Sequence, residues 1–139
     1  MSIALSKVNA FTAAVANGHF NLASDQLKVA LTNTAHTSTW LRLTDLTQIS
    51  YTNLSGATPL NLTTTSSTQT SGTYSLIVAD LTLTALGSVG PFQYIYIYDD
   101  TASIKDLICY YNYGSAVTMA SGDTFVIDLD NTNGVLQIA

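Results

Sequence analysis

A chain of 139 residues fits one packed core at the usual domain size of roughly 100–200 residues, and its 47% hydrophobic content excludes disorder of the charged, apolar-poor kind. Charged side chains make up only 9%, against about 25% in an ordinary soluble domain, and glutamate is absent, so Thr, Ser and Asn fill the polar positions. Four basic against nine acidic side chains, net −5, argue against an electrostatic grip on nucleic acid or on an anionic membrane.

A surface so poor in charge suits a protein that is covered by other protein or must endure outside a cell. Cys109 is the sole cysteine, which rules out an internal disulfide framework and every multi-cysteine zinc pattern. Lying in the run Leu107-Ile108-Cys109-Tyr110, it reads as a buried, inert thiol. No stretch approaches the roughly 20 apolar residues that span a bilayer, and the first residues lack a charged segment followed by an apolar run. The mature chain is therefore expected to start at or near Met1 without export. The sequons Asn53-Leu54-Ser55 and Asn61-Leu62-Thr63 are then expected to be chance products of a composition rich in Asn, Ser and Thr.

In chain order, residues 6–18 predict the one strong helix. Ser6 stands as N-cap, Val8, Phe11, Ala14 and Val15 recur at three-four spacing, and Asn17-Gly18 makes a left-handed stop. The period then changes to two: Leu27, Val29 and Leu31 alternate with Lys28 and Ala30, a strand over about 25–32 that ends at Thr32-Asn33-Thr34. Residues 33–73 read as loop-rich with short strands, and Thr63 to Thr73 as an exposed loop leading into a strand, although Thr also favours an extended edge.

From Tyr74 to the end the strand pattern is regular. Ser75 to Ala85 alternates, Gly87-Ser88-Val89-Gly90-Pro91 interrupts, and Phe92 to Tyr98 follows with Phe92, Tyr94, Tyr96 and Tyr98 assigned to one face. Asp99 to Ser103 turns the chain, and Asp106 to Tyr113 is the next strand. Gly114-Ser115 and Ser121-Gly122-Asp123 are turns, and Thr124 to Leu129 and Val135 to Ile138 close the set. The expected fold is mainly β: a single antiparallel sandwich or barrel over residues 1–139, jelly-roll-like, with one short N-terminal helix. No helix lies between the late strands to make a parallel crossover.

Chemistry is sparse. With Glu absent, acid–base work would need His19 or His36 with an aspartate, or two aspartates. His19 follows the helix stop, placed to hydrogen-bond terminal carbonyls, and His36 reads as a surface residue in a Thr-rich loop. The pairs Asp99-Asp100 and Asp128-Leu129-Asp130 could offer oxygens to calcium, which takes about six to eight, but turn aspartates that bond their own backbone explain them better. Phosphate-cradling glycine loops, nucleophile elbows and zinc-binding helices are missing. No enzyme, cofactor or metal is expected. Tyrosines on a strand face can stack sugars, with Trp40, Tyr111 and Tyr113 as helpers; a strand with Tyr on one side and Ile95 and Ile97 on the other is more simply buried, or met by another subunit.

Several strings in order carry a resemblance: Gly18-His19-Phe20-Asn21-Leu22-Ala23-Ser24-Asp25-Gln26-Leu27-Lys28-Val29-Ala30-Leu31-Thr32-Asn33, then Thr68-Gln69-Thr70-Ser71-Gly72, Gly90-Pro91-Phe92-Gln93-Tyr94, Tyr113-Gly114-Ser115-Ala116-Val117-Thr118 and Ser121-Gly122-Asp123-Thr124-Phe125. Together the chain resembles small virion structural proteins of tailed bacteriophages, of the capsid decoration or cement type; residues 35–65 match least. The resemblance implies a protein made in the bacterial cytoplasm and carried on the capsid surface, where it bridges neighbouring copies of the major capsid protein. A homotrimer on a local threefold axis would let one small chain clamp several shell subunits. Helix 6–18 and loop 35–65 are the expected contact segments, with Val8, Phe11, Val15, Trp40, Leu41, Tyr51 and Leu60 as interface candidates. The competing expectations are another virion part, such as a tail or head-completion protein, and a glycan-binding fibre module.

Overall fold

The computed structural model describes residues 5–139; the expected start at Met1 lies outside them. Among the described residues nine strands and one α-helix run in the order β1 (Ser6–Lys7), α1 (Phe11–Ala16), β2 (Leu27–Thr32), β3 (Thr64–Thr70), β4 (Thr73–Val78), β5 (Leu81–Thr84), β6 (Val89–Asp99), β7 (Leu107–Met119), β8 (Thr124–Ile127) and β9 (Leu136–Ile138), with a 3-10 turn at Leu43–Asp45 between β2 and β3. All the pairings between strands are antiparallel. One sheet has the order β1-β7-β6-β2, and a three-stranded sheet β3-β4-β9 and a two-stranded ribbon β5-β8 make up the rest. The fold is an antiparallel β-sandwich with one short helix, and the sheets do not close into a barrel.

The core lies between these layers. From the four-stranded sheet come Leu27, Val29, Leu31, Ile95 and Ile97, and they meet Leu76, Val78 and Leu136 of the three-stranded sheet and Leu83 and Ile127 of the ribbon. The outer face of the same four-stranded sheet is also dry. Ala30, Tyr96, Tyr98 and Leu107 pack there with Val8 and Leu46, under Trp40 and Leu43. The loop-rich stretch thus supplies a cover that runs over the sheet, pinned by Thr32 Oγ1 donating to the Thr47 carbonyl at 2.6 Å and by Leu107 N–H donating to the Leu41 carbonyl at 3.0 Å.

Several expectations need correction. The helix covers only residues 11–16, capped by Ala10 without a side-chain bond. Ser6 is not its N-cap but pairs with Tyr110 in β1, and Val8 N–H donates to the Ile108 carbonyl. The exposed edge of β7 thus captures residues 6–8, and the helical period yields to a sheet edge that needs partners. Gly18 does end the helix, at φ 75°.

The hydroxyl-rich stretch 64–70 is a strand, not a loop. It pairs with β4 across the two-residue turn Ser71-Gly72, whose φ values of 51° and 84° match the twist of a tight hairpin. β-Branched Thr tolerates the extended backbone, so a polar strand forms at an edge. Residues 75–85, expected as one strand, are two: the chain leaves the three-stranded sheet after Val78 and joins the ribbon at Leu81.

Phe92 does not share the tyrosine face. Tyr94 pairs with Asn112 but Phe92 with Val117, so β7 holds extra residues opposite Gln93 and the facing alternates out of step. Phe92 turns into the inner core, while Tyr94, Tyr96 and Tyr98 stay on the outer face. The expected turn at Gly114-Ser115 is this bulge within β7, with Gly114 at φ 93°.

Candidate docking hollows, an aromatic cleft and a carboxyl pair

The seven interface candidates separate by burial. Val8 and Phe11 are buried in this chain's own cores, Phe11 reaching the surface only at the floor of a hollow it shares with Val15. Trp40, Tyr51 and Leu60 are half-buried and pack against the cores. Tyr51 closes the free edge of β2, its hydroxyl accepting Leu31 N–H at 2.8 Å and donating to Gln48 Oε1 at 2.8 Å, and burial pushes its phenol up to about 12. Val15 and Leu41 remain at the surface, each 37% exposed.

Around Val15 the surface is shaped. One hollow of about 310 Å³ is lined by Val15, Phe20, Leu22, Tyr74 and Ile138 among others. A second, of about 230 Å³, shares Val15 and Ile138 and adds Lys7, Phe11, Thr12 and Gln137. Ile138, 39% exposed, projects from β9, which pairs with β4 on one side and with no strand on the other among the described residues. Two exposed β-branched side chains therefore line both a mainly apolar hollow and a mixed one beside an open strand edge. Ile138 was absent from the sequence candidates. It lies two residues from buried Leu136 and shares that inward face, exposed because it stands at the sheet margin, a position visible only once β9 is known to be an edge.

His36 is not a loose surface residue. Its ring stacks on Tyr110 with centroids 3.9 Å apart and planes 16° apart, meets Trp40 edge-on at 5.8 Å, and places Nδ1 2.7 Å from the Tyr96 hydroxyl. Burial lowers its pKa from the ordinary histidine value, so the imidazole is neutral at pH 7. Burial also raises the Tyr96 phenol, helped by the neighbouring Tyr110 and Tyr94. Beside this stack an open cleft of about 400 Å³ is lined by Ser6, Ala35, His36, Tyr94, Tyr110, Tyr111 and Asn112.

His19 bonds across the molecule rather than to helix carbonyls: Nδ1 lies 2.7 Å from Oδ2 of buried Asp106, and only its backbone N–H caps the helix, on the Ala14 carbonyl at 3.0 Å. Asp99 is fully buried, with Oδ1 accepting the N–H groups of Thr101 and Ala102 at 2.9 and 3.3 Å. Burial, together with the Asp25 carboxyl beside it, pushes Asp99 up to about 7. Next to it Asp100 is held below the usual range by Lys105, whose Nζ lies 2.7 Å from Oδ1, and by Lys28 at 3.4 Å. Asp130 folds back on Thr132 and Asn133 N–H groups, as a turn aspartate does. Among the described residues no three His, Cys, Asp or Glu side chains are gathered to hold a metal, and no helix is long and apolar enough to cross a membrane. Cys109 is buried and its thiol is pushed up to about 12, which leaves it without thiolate at neutral pH.

Among the described residues His19 pairs with the Asp106 carboxylate and His36 with the Tyr96 hydroxyl. The surface offers two hollows at a strand edge and an aromatic cleft lined without Asp, Lys or Arg. The chain matches no protein-family model, no curated protein and no solved structure.

Proposed function

We propose that this protein is a structural component of a tailed-bacteriophage virion that decorates the capsid and stabilises it by bridging neighbouring major capsid subunits. The observation that carries the reading is the paired hollow around Val15 and Ile138, set beside the open edge of β9. A β-strand edge offers main-chain hydrogen bonds to an extended partner segment, and flanking hollows take its alternate side chains. The sparse charge of the rest of the surface lowers the desolvation cost of lying flat against a shell.

A stable contact of this kind buries on the order of 1,200–2,000 Å² in total, more than the two hollows offer alone. A homotrimer at a local threefold axis supplies it by repeating the same contact three times. Leu41 and the cover segment around it would then lie at the boundary with a neighbouring copy or with the shell.

Particle endurance tests this reading. Capsids assembled without this protein are expected to form and to package, but to rupture at lower temperature and under milder osmotic shock, and to recover when purified protein is added back. Equal survival of particles with and without it rejects the cement role.

A further inference from the structure

The aromatic cleft on the outer face of the four-stranded sheet is independent of the docking hollows, sharing no lining residue with either. Its lining, contributed by β1, β6, β7 and the loop at residues 35–36, contains no Asp, Lys or Arg. The stack of His36 on Tyr110, itself 5.5 Å from Tyr96, gives it a rigid aromatic side. Hydroxyls of Ser6, Tyr94 and Tyr110 have no side-chain hydrogen-bond partner among the described residues, while the Tyr111 ring packs on the inner core. Asn112 is oriented: its Oδ1 accepts both Gln93 Nε2 at 3.0 Å and Gly114 N–H at 2.9 Å, which leaves Nδ2 as a donor.

We infer that this cleft binds a neutral sugar ring, the carbon face lying on the aromatic side and the ring hydroxyls meeting Asn112 Nδ2 and the tyrosine and serine hydroxyls. A sugar presents an apolar face bounded by polar edges, and aromatic planes ringed by uncharged donors and acceptors complement both. Phosphorylated or carboxylated ligands have no cation to meet here, and the net charge of −5 repels them. The volume lies within the usual range for small-ligand sites, roughly 300–1,000 Å³. A decoration protein that carries such a site adds weak, many-copy glycan contact to its structural role.

The probes are maltose, cellobiose and N,N′-diacetylchitobiose, with glucose 6-phosphate and sialyllactose as anionic controls. Trp40, the sole tryptophan, touches His36 edge-on, so its fluorescence reports on the cleft, and saturation-transfer NMR gives a second readout. Saturable binding of at least one neutral disaccharide is expected, with neither anionic control binding as tightly. Asn112→Asp keeps the Oδ1 contacts and removes the Nδ2 donor, and it is expected to weaken binding at least 10-fold without a change in circular dichroism. Tyr94→Phe is expected to cost a few-fold, and Val15→Asp nothing. Absence of saturable binding by all three neutral sugars overturns the inference, as does tighter binding of an anionic control or an unaltered affinity in Asn112→Asp. Because Val15→Asp leaves this cleft untouched, failure here is distinct from failure of the capsid reading.

Discussion

Nδ1 of His36 and the hydroxyl of Tyr96, sixty residues apart in the chain, meet at 2.7 Å beneath the segment that covers the outer face of the four-stranded sheet. The contact ties a loop with almost no regular structure to the middle of the longest-paired strands. It converts the outer face of β6 from a wet sheet surface into a second core. Tyr96→Phe is expected to lose about 1 kcal/mol through the missing bond, read as a lower urea midpoint with unchanged slope. His36→Ala removes the stack on Tyr110 as well and is expected to cost more, with faster proteolysis between residues 33 and 48. Unchanged stability in both variants would mean that the cover holds by other contacts.

Buried Asp99, with half-buried Asp25 beside it, gives the fold an alkaline weakness. Asp99 is raised from 3.8 to about 7 in the folded state, by burial first and by Asp25 second. A carboxyl raised by folding contributes its full stability below its unfolded value and loses it as pH climbs through the folded value. Stability is therefore expected to fall between about pH 4 and pH 7 by an amount on the order of 3 kcal/mol from this group, and to level off above. Asp99→Asn, which is uncharged at every pH, is expected to flatten that slope and to melt higher than the parent at pH 8. Parallel melting curves of the two proteins from pH 4 to 8 would refute the assignment.

Two glycines with left-handed φ separate backbone strain from collision. Gly134 has φ 84°, and a Cβ there would run into the carbonyl of Leu76, the same group that accepts Val135 N–H and anchors β9. Gly18 has φ 75° with nothing within 4 Å of an added Cβ. Gly18→Ala is expected to cost about 1 kcal/mol from conformation alone, and Gly134→Ala several times that, with loss of β9 pairing in hydrogen exchange. Equal midpoints for the two variants would contradict the collision.

The sequence announced the strands whose side chains alternate between two dry layers and hid those defined by what lies beside them. Leu27, Val29 and Leu31 were legible because a period of two survives whenever one face enters the core. β3 was obscured because an edge strand of Thr, Ser and Gln buries little, and its pairing is dictated by the tight Ser71-Gly72 turn. Phe92 went to the wrong face because a bulge breaks alternation without leaving a composition signal. His36 looked like a loop residue because its partners Tyr96 and Tyr110 lie sixty or more residues away, and no local pattern encodes that contact. Val8, Phe11 and Val15 looked equivalent as one apolar helix face; only Val15 stays exposed, because residues 6–8 join a sheet and Phe11 turns into the core.

The proposed capsid role is tested most directly by mixing purified protein with expanded, undecorated capsids of the tailed phage whose genome proves to encode it and counting bound copies after sedimentation, for the parent chain and for Val15→Asp and Ile138→Lys. Both side chains are exposed, so each variant is expected to keep its stability within about 0.5 kcal/mol. The parent is expected to saturate at a copy number set by the shell lattice, in multiples of three per local axis, and both variants to stay in the supernatant. No binding by the parent, or equal binding by all three, would contradict the claim.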